Sequence, residues 1–155
     1  MDNSSFHFPL FPYKARIIGA LLILPGLFFG YLYFFGSRPT FFETKVFAIV
    51  TTYMENRFFV IAKTNLLDEL FSIFCISGLT LLVFSREKRE KDGYDLIRAK
   101  ALIKAVYIAL GIWLCSFLLI FGWAIFVVST LLFIIFLITY YVVFRILITK
   151  MADSN

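Results

Sequence analysis

The stretch that decides the fold is Ala105–Phe144, AVYIALGIWLCSFLLIFGWAIFVVSTLLFIIFLITYYVVF, forty residues without one charge. A helix needs about 20 mainly apolar residues to cross the hydrocarbon core of a bilayer. This run is twice that length, so it reads as two spans joined by a tight turn. Phe121-Gly122-Trp123 is the natural break, because a glycine beside an interfacial tryptophan suits a reversal at headgroup level. The run then divides into spans of about 105–121 and 124–144.

Working outward, two more apolar runs appear. Leu66–Phe84 supplies one, and Ile17–Gly36 supplies another between Lys14 and Arg16 on one side and Arg38 on the other. The expectation is an all-α membrane protein, a single integral domain over residues 1–155. Its core is a four-transmembrane-helix bundle, with a short extracytoplasmic segment between the first two helices. Composition agrees. Of 155 residues 61% are hydrophobic and only 16% charged, with 21 phenylalanines and a mean hydropathy of +0.90. A water-soluble fold of this size buries only about two-thirds of its surface, too little to hide so much apolar area. A soluble enzyme and a free nucleic-acid binder are thereby excluded.

The basic residues set the expected orientation. Four spans place both termini on the side of the 85–104 connection, which carries eleven Lys and Arg against four on the other side. The positive-inside rule assigns that side to the cytoplasm. The net charge of +5 is then a topology signal, with no nucleic-acid partner implied. The first span is too long for a signal-peptide core and no small-residue cleavage site follows it, so it is expected to stay as an anchor. Lys104 enters the third span one turn deep, from where its ammonium can snorkel to the interface.

Small residues mark where helices approach in lipid. Gly26 and Gly30 form a GxxxG after Pro25, which removes a backbone hydrogen bond and predicts a kink. Ala101, Ala105 and Ala109 make a smooth ridge on the third span, and Ser72, Cys75 and Gly78 an inclined row on the second. The first three helices are expected to lie close together. The same glycine face could instead serve self-association.

Outside the spans, Ser85–Gly93 carries opposite charges four apart: Arg86 with Glu90, Glu87 with Lys91, Lys88 with Asp92. Such pairs support a solvated helix. The second helix is therefore expected to continue to about residue 92 and to end at Gly93, with a new helix from about Asp95. The resulting 85–104 helical hairpin offers Arg86, Lys88 and Arg89 to a partner.

The outer segment, residues 37–65, is long for a bundle loop. Its Val46–Val50 and Phe58–Ala62 runs flank Met54-Glu55-Asn56-Arg57, which reads as a β-hairpin. A surface helix using Phe42, Val46, Ile49 and Tyr53 is the competing reading. Either way Phe47, Ile49, Phe59 and Ile61 are apolar residues outside any span, and they are the candidate partner-binding set.

Chemistry is sparse. Asp68 and Glu69 stand at the outer start of the second span, where they could bind a cation or pass a proton. They also fit a helix start, with Asn65 as the cap and the acids favoured by the helix dipole. No ionisable residue lies at mid-depth of any span, which weighs against a proton- or cation-coupled transporter. His7 is the lone histidine, so no histidine-based metal site or serine–histidine pair can be built, and no cofactor is expected. Cys75 and Cys115 lie inside apolar runs and read as small packing residues.

The stretch Asn65-Leu66-Leu67-Asp68-Glu69-Leu70, then Phe84-Ser85-Arg86-Glu87-Lys88, Leu96-Ile97-Arg98 and Val106-Tyr107, resembles a group of small bacterial four-span membrane proteins of uncharacterised function. The resemblance extends over most of residues 40–148. Ala109 and Ser129 stand where that group tends to carry amides, so no shared polar site is carried over. What it implies is the four-span topology and a bacterial inner membrane, without an activity. The expected function is that of a non-catalytic subunit or scaffold of a larger inner-membrane complex, with other membrane subunits and the lipid bilayer as partners. A small oligomeric transporter or channel, and a membrane sensor, are the alternatives.

Overall fold

The computed structural model describes residues 8–36, 38–51, 57–91, 93–120 and 124–153. Helix α1 spans Tyr13–Phe34 and runs on through Pro25. A single 3₁₀ turn at Thr40–Phe42 leads into strands β1 (Glu43–Thr51) and β2 (Arg57–Asn65). Helices α2 (Leu67–Val83), α3 (Tyr94–Leu119) and α4 (Ala124–Asp153) follow. By length and composition, three helices can cross a membrane: α1, α3 and most of α4. The shortest helix, α2 at 17 residues, does not reach that measure. The expected turn at Phe121-Gly122-Trp123 lies outside the described residues, as do His7 and Met54-Glu55-Asn56 of the turn expected between the strands, whereas Arg57 already belongs to β2. The helices on either side of the former stop at Leu119 and start at Ala124, where charge-free sequence had suggested a break.

Between α1 and α2 the connecting segment is an antiparallel ribbon, Glu43 pairing with Asn65 and Phe47 with Ile61. The competing surface helix is therefore replaced by strand over Glu43–Thr51, where Val46 and Ile49 lie, while Tyr53 falls outside the described residues. The β-branched and aromatic runs prefer a pleated backbone, and the ribbon pairs their peptide groups.

Packing divides the helices into two pairs. Glycine lets α1 and α2 touch along their backbones. A Cβ placed on Gly19 would fall 2.5 Å from the carbonyl oxygen of Gly78 and 2.7 Å from the amide of Leu82. One on Gly26 would meet Cys75 Sγ at 2.7 Å, and one on Gly30 the ring of Phe71 at 2.7 Å. Ala15, Gly19, Gly26 and Gly30 are the buried residues of α1, and each is small. In the second pair, the alanine ridge of α3 meets bulk on α4: Ala101 and Ala105 are sealed beneath Tyr140 and Phe144, with Val83 of α2 completing the cluster. The two pairs join mainly through α2 and α4, and α3 makes only sparse contact with α1 and α2. The expected proximity of the first three helices is corrected accordingly. An alanine ridge takes up large side chains better than another smooth face, and α4 supplies them. Ala109 lies one turn beyond the sealed part and is only half-buried.

The connection after α2 also departs from expectation. Helix α2 ends at Val83, and residues 84–91 are not helical, so the continuation to residue 92 does not occur. Phe11 explains the stop. Its amide donates to Phe84 O at 2.9 Å and its carbonyl accepts from the Arg86 amide at 3.0 Å, a short parallel bridge to Ser85. The backbone groups that another helical turn would have satisfied are thus taken by the chain's own N-terminal segment. Gly93 adopts the left-handed conformation at φ +88°, as a helix-flanking glycine can, but it precedes α3 rather than closing α2.

Candidate functional site

Strand alternation sorts the ribbon into two faces. Phe47 and Ile49 of β1 and Phe59 and Ile61 of β2 fall on the same one, and all four are exposed. Lys45 and Lys63, paired across the strands, continue that face toward the bundle, where Lys63 holds Glu43 at 2.6 Å. The ribbon touches the helices mainly at its base. There Leu66 N donates to Phe42 O at 3.0 Å, and the Phe42 ring lies edge-on to Phe29 of α1 at 5.9 Å.

Phe59 is unusual within the ribbon. Its φ is +52°, and the ladder is interrupted where it would face Ile49. Left-handed backbone costs a bulky residue about 1–3 kcal/mol. Yet the residue is 70% exposed, with its ring 6.4 Å from that of Phe47. An exposed phenylalanine held at such a backbone position does little for the isolated fold.

The opposite end of the helices carries a charged network. Arg16 of α1 donates to Glu87, and its second Nη to Tyr141 Oη of α4 at 3.1 Å. Arg145, one turn further along α4, donates from Nε to the same hydroxyl at 3.2 Å and places Nη2 3.7 Å from Glu87. A second set centres on Arg98, whose side chain is 1% exposed. It pairs with Glu90 and, at 3.5 Å, with Asp95, and lies 5.0 Å over the ring of Phe144. Its Nε and Nη2 have no hydrogen-bond partner among the described residues. The ring face takes that position, since a desolvated cation over an aromatic ring gains about 2 kcal/mol. Two of the expected i,i+4 pairs, Arg86–Glu90 and Glu87–Lys91, are therefore replaced: Glu87 and Glu90 turn to arginines of the helices instead, and the third, Lys88–Asp92, lies outside the described residues. Arg86, Lys88 and Arg89 are left exposed.

At the ribbon end, Asp68 and Glu69 occupy the first turn of α2. Asn65 serves the helix start from just outside it, its Oδ1 accepting from Leu67 N at 3.2 Å while its amide donates to Pro39 O. Asp68 is accordingly the second helical residue. Both acids line a cavity of about 460 Å³ with Tyr33, Ser72 and Thr130, between α1, α2 and α4. Neither forms an ion pair with a described residue.

Of the residues singled out from sequence, the structure brings Phe47, Ile49, Phe59 and Ile61 together on one surface. It places Lys88 and Arg89 at the other end, and Asp68 with Glu69 beside a cavity. Gly26, Gly30, Ala101 and Ala105 lie between helices. Sequence reasoning missed Arg16, Glu87, Tyr141 and Arg145 as a joined set, and Arg98 as the centre of a second one. Lone charges bordering apolar spans were the available signal, but contacts 71 and 125 positions apart cannot be read from it. No protein-family model, curated protein or solved structure matches the chain.

Proposed function

We propose that the chain is a non-catalytic subunit or scaffold of a larger bacterial inner-membrane assembly. In this reading it crosses the bilayer four times and keeps both termini in the cytoplasm. Helix α2 serves as the short fourth span, since 17 residues rise about 26 Å and hydrophobic stretches that short can still cross. The observation that carries the proposal is the ribbon face of Phe47, Ile49, Phe59 and Ile61, exposed and held away from the bundle. A two-stranded ribbon is marginal by itself in water, and one that keeps Phe59 in costly backbone to present its ring suits an interface. A neighbouring membrane subunit is the partner in this proposal.

The test is gentle solubilisation followed by mass spectrometry of every chain that stays bound. A stoichiometric companion, lost in a Phe47→Ser/Ile61→Ser variant that still folds, is the expected result. A lone monomer from native membranes would overturn the reading.

A second reading, a small channel or ion carrier, draws on the cavity at Asp68 and Glu69. Its pore cannot use the Gly26 and Gly30 face without displacing Cys75 and Phe71 from it. Replacing both acids, Asp68→Asn and Glu69→Gln, should then abolish flux in liposomes without loss of folding.

A further inference from the structure

We propose that a cleft at the basic end of the bundle binds a phosphate-bearing anion at the membrane boundary, as a phospholipid headgroup would present it. The cleft has a volume of about 380 Å³ and is lined by Glu87, Lys88, Arg89, Tyr94, Arg145 and Ile148. Three of these are cations and one is a carboxylate. That carboxylate is already shared, because Glu87 holds Arg16 as well as approaching Arg145. Lys88 and Arg89 are exposed and pair with no described residue. The cleft therefore carries uncompensated positive charge.

Its depth fits a headgroup. From Val127 to Arg145 α4 rises about 27 Å, and α1 rises as much from Arg16 to Phe34. A hydrocarbon core is about 30 Å thick, so Arg16 and Arg145 stand at its edge, where Tyr141 and Glu87 hold them level. Arg145 commits Nε to Tyr141 and has only a 3.7 Å contact from Nη2, leaving donors for an oxyanion. Guanidinium groups match phosphate oxygens in pairs, while a lysine adds a point charge. Ile148 and the buried Tyr94 provide an apolar wall beside these donors. Basic pockets between transmembrane helices recognise anionic headgroups in this way. The inference needs only that α1 and α4 span the membrane, and it is independent of any partner subunit.

The experiment titrates the detergent-solubilised full chain with dihexanoyl phosphatidylglycerol, dihexanoyl phosphatidylcholine and inorganic phosphate, reading adducts by native mass spectrometry. The anionic lipid should bind in preference to the zwitterionic one. Lys88→Ala/Arg89→Ala should weaken it roughly tenfold, with the charge-reversed K88E/R89E losing it altogether. Lys100→Ala/Lys104→Ala, exposed basic residues of α3 away from the cleft, should change it less than about threefold. Displacement by millimolar inorganic phosphate, itself bound, assigns the site to a free phosphate; persistence against it assigns a lipid headgroup. Equal binding of the two lipids, equal loss in both alanine variants, or full retention in K88A/R89A would overturn the proposal.

Discussion

The Arg16 guanidinium donates to the Glu87 carboxylate, a contact between residues 71 positions apart that ties the start of α1 to the connection between α2 and α3. Glu87 also draws Arg145 of α4, and Tyr141 bridges the two arginines. One carboxylate thus holds three parts of the chain at a common level. Both side chains of the Arg16–Glu87 pair are mostly shielded, at 14% and 16% exposure, so the pair differs from an open surface bridge.

Glu87→Gln should lower stability by about 1–2 kcal/mol, since two partly buried guanidiniums lose their counter-charge. Unfolding in mixed micelles under increasing SDS would measure it. A double-mutant cycle with Arg16→Gln should return a coupling of about 1 kcal/mol. Strict additivity would mean that the contact contributes nothing.

Gly19→Ala should be costly and Gly111→Ala benign. At Gly19 the new methyl meets the Gly78 carbonyl and the Leu82 amide, backbone atoms that yield only if the helices separate. A loss of about 1–3 kcal/mol is expected. A Cβ on Gly111 meets nothing within 4 Å, and alanine gains helix propensity there, so stability should hold or rise by up to about 1 kcal/mol. The same micelle titration compares the two.

Arg98→Met should be tolerated within about 1 kcal/mol, because Glu90 and Asp95 are exposed enough to rehydrate and methionine refills the volume. Arg98→Ala leaves a hole beside Phe144 and should cost about 2–4 kcal/mol. If both variants lose equally, the charge itself and not its packing is what the site requires.

The proposed topology is checked by cysteine labelling in a Cys75→Ala/Cys115→Ala background. Lys45→Cys on the ribbon should react with a membrane-impermeant maleimide in intact cells. Lys88→Cys should react only after permeabilisation. The reverse pattern would invert the orientation. Labelling of both from the same side would mean that α2 does not cross.

Much of this protein is written locally. Within the charge-free run α3 ends at Leu119 and α4 starts at Ala124, because no single-span helix can use forty apolar residues. The ribbon was legible in Val46–Val50 and Phe58–Ala62, whose side chains suit pleated backbone, although a surface helix competed. The end of α2 was not legible. Residues 85–92 carry the charge spacing of a helix, and local pairing would have made one. Phe11 bridges Phe84 and Arg86 instead, and Arg16 and Arg98 take Glu87 and Glu90. Nor could the sequence say which face of α3 meets which helix, since an alanine ridge accepts several neighbours.

Hydropathy and charge distribution, summed along the chain, determined that this is a mostly helical protein with long membrane-competent segments and an apolar stretch outside them. They act residue by residue, so they need no knowledge of the partner. Tertiary structure alone decided that α1 lies on α2 through glycine, that α3 seals its alanines under Tyr140 and Phe144, and that Arg16, Glu87, Tyr141 and Arg145 meet at one end. Close packing and buried charge depend on the shape and polarity of whatever lies opposite, which a linear sequence does not display.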